Sequence, residues 1–178
     1  MKRIAIASVL GIALLTAACT GTTGAPKPTP TSGEGTPTST PAASGLEALE
    51  PCGLLAESEA TTIGMSSPGN AVQVASSDGC EWRAASGGGG VRAGIRAKAG
   101  VKELNLNGDK LSSIKVGKFD ATKVEAADGA KNLCAIAISV TESSSVLVIA
   151  NLSLSSSDTA AACERASKTA DLIAPKLS

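Results

Sequence analysis

The chain has 178 residues, with 16 basic and 16 acidic side chains and no histidine. The balanced charge gives no electrostatic attraction for nucleic acid. The missing imidazole excludes Ser-His-Asp hydrolases and the common histidine-containing zinc sites. We therefore expect no nucleic-acid partner, no metal and no other cofactor.

The first 18 residues have the pattern of a lipoprotein signal peptide. Lys2 and Arg3 form a positive segment, and residues 4–15 form an apolar one that is too short for a transmembrane helix. Three small residues, Thr-Ala-Ala, then precede Cys19. This pattern predicts cleavage before Cys19 and coupling of its thiol to a diacylglycerol. The protein would then be lipid-anchored at the extracytoplasmic face of the cell membrane. An ordinary signal peptide with a cysteine near its end is the alternative.

Residues 19–45 are predicted to be the lipidated cysteine followed by a disordered tether. Threonine, proline, glycine and serine dominate the segment, and Lys27 and Glu34 are its only charges. As a flexible coil, its root-mean-square span would be about 28 Å. The same composition is typical of O-glycosylated stalks, so a glycosylated stalk and a plain solvated linker both remain open.

Residues 46–178 are predicted to form one α+β domain, an antiparallel sheet packed against N- and C-terminal helices. The segment 46–65 is expected to be partly helical, and 101–106 to be a short helix or turn. Alternating apolar residues and turn residues predict seven strands, over 70–75, 80–84, 91–97, 114–116, 122–126, 133–141 and 146–154.

Two periodic patterns are the clearest in the chain. In 133–141, Leu133, Ala135, Ala137 and Ser139 alternate with Cys134, Ile136, Ile138 and Val140, which predicts a strand that forms a hairpin with 146–154. In 158–177, apolar residues recur every three or four positions, which predicts a helix whose apolar stripe faces the sheet. Its members are Cys163, Ala166, Ala170, Ile173 and Leu177.

Four cysteines remain after lipidation: Cys52, Cys80, Cys134 and Cys163. An even number in an exported chain indicates disulfides, and no CxxC motif suggests a zinc site. Pairing Cys52 with Cys80 and Cys134 with Cys163 would join each terminal helix to a strand. The other two pairings enclose longer loops and stay open at this point.

The residues around the cysteines also resemble a known family. Three motifs carry the resemblance: Glu50-Pro51-Cys52 before Leu54-Leu55, Cys80-Glu81-Trp82, and Val116-Gly117-Lys118 before Ala121. Cys134 in a strand and Cys163-Glu164-Arg165-Ala166 in the last helix match the remaining cysteines. The chain is thus similar, over about residues 46–177, to actinobacterial lipoproteins known only as domain of unknown function 3558. Glu50 and Lys118 depart from that pattern. The resemblance implies a fold and a location, but no activity.

No residue set predicts catalysis. Glu57 and Glu59 point apart on a helix, and Gly87–Gly90 lacks the Lys-Ser/Thr end of a phosphate loop, which favours a hairpin tip. Trp82 is the weak candidate for ligand binding, because an exposed ring stacks on a sugar or lipid. Since Trp82 shares a strand face with Cys80, packing against a disulfide in the core is the favoured interpretation.

Three classes of function remain. We expect a non-catalytic envelope module that binds a protein or cell-wall partner, and no enzymatic activity. The alternative is a carrier or sensor of a small apolar ligand. It would need a cleft lined by Ala, Val and Ile, with Trp82 or Phe119 at its rim. An enzyme is the third class, and a cluster of acids around a cleft would favour it.

Overall fold

A computed structural model describes residues 44–177, and one antiparallel sheet of seven strands dominates it. The strands are β1 (Asn70–Val74), β2 (Ser77–Arg83), β3 (Gly89–Arg96), β4 (Lys110–Val116), β5 (Phe119–Glu125), β6 (Leu133–Thr141) and β7 (Ser144–Leu152). Their spatial order is β1-β2-β3-β7-β6-β5-β4, so β1 and β4 are the outer strands. The predicted signal peptide, Cys19 and nearly all of the tether lie outside the described residues.

The sheet has two apolar faces. Cys134, Ile136 and Ile138 belong to the larger core cluster. Ala135 and Ala137 belong to a smaller cluster on the opposite face. Because side chains alternate along a strand, the central strands β6 and β7 contribute side chains to both clusters.

A long C-terminal helix covers the larger cluster. This helix, α2, runs from Thr159 to Ile173, and the Asp158 carboxylate accepts a hydrogen bond from the Ala161 backbone N–H at 2.9 Å. All five residues of the predicted apolar stripe are buried. A 3₁₀ turn over Ala174–Lys176, which contains Pro175, follows α2 directly. Within residues 44–177, no helix is long and apolar enough to cross a membrane.

The N-terminal segment is less helical than predicted. It consists of 3₁₀ turns at Leu46–Ala48 and Pro51–Gly53, followed by a six-residue helix, α1 (Glu57–Thr62). The physical reason is local: Pro51 and Gly53 oppose a continuous helix through this region. Leu46, Leu54 and Leu55 are nevertheless buried, against the same face of the sheet as α2.

Two hairpins differ from the predicted bounds. Gly89 pairs with Leu152 of β7 and Gly90 with Asn151, so both glycines belong to β3 and not to the hairpin tip. Gly89 has φ +103°, and a Cβ there would overlap the Asn151 carbonyl, so this position requires glycine. β4 and β5 are longer than predicted and leave a two-residue turn, Gly117-Lys118.

The four cysteines pair as the sequence spacing suggested. Cys52 bonds to Cys80 with a Cα–Cα distance of 5.0 Å, and Cys134 bonds to Cys163 with 4.9 Å. The first disulfide joins the second 3₁₀ turn to β2, and the second joins β6 to α2. Both lie on the helix-covered side, so the opposite face of the sheet carries no covalent link among the described residues.

Candidate functional site

The face of the sheet away from α2 contains an open cavity of about 570 Å³. The chain connection 97–109 packs Val101, Leu104 and Leu106 against this face and forms one wall of the cavity. The turn between β1 and β2, together with β3, forms the opposite wall. We call this cavity the sheet groove. Its floor is apolar and consists of Val124, Leu133, Ala135, Leu147 and Ile149.

The strand register arranges most of the floor as a row across four strands. Arg92 of β3 lies opposite Ile149 of β7, which lies opposite Ala135 of β6. Ala135 in turn lies opposite Val124 of β5. The row therefore begins at a cation and continues over three apolar side chains. The short side chain of Ala135, in its middle, leaves space above the sheet.

Two arginines line the β3 wall. Arg92 and Arg96 alternate with the buried residues Val91, Ala93 and Ile95, so they project to the groove side. The Nε atoms of both arginines are buried and have no hydrogen-bond partner in the described part of the chain.

The two arginines differ in their remaining contacts. Arg96 donates from Nη1 to the carbonyl oxygen of Ala75 at 3.2 Å. Arg92 forms no ion pair within residues 44–177. Its cross-strand neighbour Glu81 pairs instead with Arg83, at 3.3 Å. Arg92 is thus a partly buried cation that lacks an anion.

Two acidic residues line the other side of the sheet groove, where both are exposed. The Glu103 carboxylate accepts a hydrogen bond from the Gly100 N–H at 2.9 Å and so caps the 3₁₀ turn Val101–Glu103. The Asp128 N–H donates to the Asn107 carbonyl oxygen at 2.9 Å, which holds the connection against the turn after β5. The Glu103 side chain and the Asp128 backbone thus help to form the wall, and both residues are exposed to solvent.

Strained backbone borders the sheet groove. Four non-glycine residues among 44–177 have positive φ: Ala75, Ser76, Ala126 and Asp128. Three of them, Ala75, Ser76 and Asp128, line the groove. The two-residue turn between β1 and β2 requires positive φ at both of its positions. Asp128 and Gly129 are the central residues of another tight turn, in which the Ala130 N–H donates to the Ala127 carbonyl oxygen at 3.0 Å, and this turn accounts for the positive φ of Asp128 in the same way.

Trp82 and Phe119 are not part of the sheet groove. Trp82 is 1% exposed in the larger cluster, on the same face as Cys80, and Phe119 is 8% exposed there. Gly69 lies so close to the indole that a Cβ would come within 2.6 Å of Nε1. The expected cleft with an aromatic ring at its rim therefore differs from the groove in the structure, whose rim carries arginines.

The carboxylates with shifted pKa values lie outside the groove. Hydrogen bonds from Lys176 and the Ala56 N–H lower the pKa of Glu59, and Lys123 and Lys168 do the same for Glu125 and Glu164. Each of the three carboxylates forms an ion pair with its lysine at the protein surface. No group of three metal-ligating side chains occurs in the part of the chain that the structure describes.

One comparison with known proteins gives a match. The model of a family described as "Protein of unknown function (DUF3558)" matches residues 14–176. No curated protein matches the chain significantly, and no solved structure does.

Proposed function

The chain belongs to the DUF3558 family of proteins of unknown function, and we propose from its own geometry that it is a non-catalytic binding module. Its ligand is a small amphipathic molecule, held in the sheet groove. This function corresponds to the carrier or sensor class, with a ligand that is polar at one end.

The observation that carries this proposal is the apolar floor of the sheet groove. Small-molecule sites are concave, mostly apolar and about 300–1,000 Å³ in volume, with a few polar groups at defined places. The groove has about 570 Å³, a floor of aliphatic side chains and two arginines at one wall. A sheet face is expected to be covered by another layer, and here the connection 97–109 covers only part of it.

The sequence before the domain supports a location at the membrane. Under this proposal Cys19 carries the lipid, the segment up to residue 45 is the tether, and the domain works at the extracytoplasmic face. A tethered binding module at this place meets molecules that leave or enter the bilayer. The absence of histidine from the whole chain supports a function without acid–base catalysis at neutral pH.

A protein or cell-wall partner is the second candidate ligand. The burial of Trp82 favours it, because a carrier was expected to offer an aromatic ring to its ligand. The partner would then bind the domain surface over a larger and flatter area than the groove, typically about 800 Å² on each side.

The test is recovery of bound molecules from the full-length lipidated protein, purified from its native membrane. Small molecules and proteins that co-purify are identified by mass spectrometry. Asn105→Trp places a large ring at the groove wall, and Asn70→Trp is the matched control at an exposed position of β1, away from the groove.

We expect a small amphipathic molecule with the wild type and with Asn70→Trp, and much less of it with Asn105→Trp. Equal recovery from all three proteins contradicts a ligand in the groove. A co-purifying protein that Asn105→Trp does not displace, without any small molecule, supports the second candidate.

A further inference from the structure

We infer that the ligand of the sheet groove has an anionic head group that pairs with Arg92, and a single alkyl chain that lies over the floor. This inference rests on the proposed function and specifies its ligand. A phosphate and a carboxylate both have the required chemistry, because each accepts two parallel hydrogen bonds from one guanidinium.

The direction of the ligand follows from the strand register. Arg92 stands at the β3 end of the row that continues through Ile149, Ala135 and Val124. Three strand spacings separate β3 from β5, which is about 14 Å. A head group at Arg92 therefore places an alkyl chain of medium length along the apolar part of the row.

The state of Arg92 argues for an anion. Its Nε is buried without a partner, and its guanidinium has no carboxylate in the described part of the chain. A charge that is partly removed from water gains more from a counterion than an exposed one does. A bound anion would supply the partner that the fold itself does not.

The other charged residues near the sheet groove do not neutralise Arg92. Arg96 is tied to the Ala75 carbonyl oxygen and adds positive potential on the same wall. Glu103 and Asp128 lie exposed on the opposite side, where water and salt screen them. Glu81, the nearest acid along the ladder, is engaged by Arg83.

Three decyl compounds test the head group, because they share one chain and differ in charge: decyl phosphate, decyl maltoside and decyltrimethylammonium. Inorganic phosphate alone separates the contribution of the head from that of the chain. Each is titrated by calorimetry into the full-length protein at one fixed concentration of a nonionic detergent. Partition into the micelles is then the same for every variant, so differences between variants report on the groove.

The variants are Arg92→Gln, Arg92→Lys and a control, Lys168→Gln, which removes an exposed cation of α2 that does not line the groove. We expect the wild type and Lys168→Gln to bind decyl phosphate about ten- to hundredfold more tightly than decyl maltoside. Arg92→Gln should lose this preference and keep its affinity for decyl maltoside. Arg92→Lys should keep part of the preference, since it retains the charge.

The contrary results are distinct. Equal affinity for the three head groups, an unchanged preference in Arg92→Gln, or inorganic phosphate binding as tightly as decyl phosphate would overturn the inference. A preference for decyltrimethylammonium would assign the head group to Glu103 and Asp128 instead. In each case binding of decyl maltoside leaves the proposed function standing. If no decyl compound binds at all, the proposed function fails together with the inference.

Discussion

The ammonium group of Lys176 donates a hydrogen bond to the carbonyl oxygen of Leu54 at 2.7 Å, although 122 positions separate the two residues in the sequence. The same ammonium pairs with the Glu59 carboxylate. These contacts fasten the N-terminal turns to the end of the chain beyond α2. The same N-terminal segment is also held by apolar contacts, because Leu46, Leu54 and Leu55 are buried in the larger core cluster.

This ion pair predicts a pH-dependent stability. Lys176, and after it the Ala56 N–H, lower the pKa of Glu59 from its ordinary value of 4.5. The stabilisation is therefore present above that ordinary value and is lost as the pH falls through the lowered pKa of the folded state. Glu59→Gln should reduce the free energy of unfolding by up to about 1 kcal/mol at neutral pH.

Urea denaturation at neutral pH, and again below the folded-state pKa of Glu59, measures the effect. The control is Glu57→Gln, which changes an exposed acid on the same helix. Equal losses in both variants, or a loss in Glu59→Gln that persists at the acid pH, would contradict the assignment.

Trp82 should behave as a core residue. Trp82→Ala should cost about 3–5 kcal/mol, typical of removing a buried aromatic side chain. A small domain often holds only about 5–15 kcal/mol in total, so the variant should be poorly folded even with both disulfides formed. Trp82→Phe should cost less, because the Nε1 that it removes has no hydrogen-bond partner among the described residues.

Intrinsic fluorescence provides an independent check, since the chain has a single tryptophan. We expect blue-shifted emission that resists quenching by acrylamide. A red-shifted signal that acrylamide quenches freely would show an accessible ring and would revive Trp82 as a ligand-binding residue.

Gly89 and Gly87 make a matched pair for the β2–β3 hairpin. Both have positive φ, at +103° and +77°, so alanine is strained at either position. Only at Gly89 would a Cβ overlap backbone, that of Asn151, whereas nothing lies within 4 Å at Gly87. Gly87→Ala should cost about 1–2 kcal/mol, and Gly89→Ala should cost clearly more. Thermal unfolding compares them, and equal losses would refute the tight β3–β7 approach.

The lipid anchor is tested at Cys19. The wild type, expressed in a host that processes lipoproteins, should partition into the detergent phase, because several acyl chains far exceed what marginal membrane binding requires. Cys19→Ser should be released into the medium or remain unprocessed. Identical partition of the two proteins would exclude the lipoprotein assignment.

The periodic parts of the fold could be read from the sequence. Alternation in β6 and the three- and four-residue spacing in α2 reflect burial on defined faces, so both elements were predictable, together with the buried stripe of α2. Cys80 and Trp82 also share a face for this reason. The N-terminal segment was harder, because the adjacent residues Leu54 and Leu55 set no helical period; they lie in a bend between the second 3₁₀ turn and α1.

The sheet groove could not be derived in the same way. It depends on β3 lying beside β7, where Gly94 pairs with Leu147, 53 positions later in the sequence. Local sequence patterns carry no information on such long-range pairings. Arg92 and Arg96 read as ordinary solvent-facing residues of a strand. The one local signal was the pair Leu104 and Leu106. These are apolar residues in a segment predicted to be a short helix or turn, where they would need another apolar surface to pack against.

The position of β4 at the edge of the sheet has a consequence for association between chains. An outer strand presents unpaired backbone groups, which invite a strand from another molecule. β4 carries Lys110 and Lys115, which pair with Glu125 and Asp120 on β5 and remain largely exposed. A second chain that extended the sheet here would have to bring its own strand alongside both charges. The two lysines thus oppose edge-to-edge pairing with the β4 strand of a second chain.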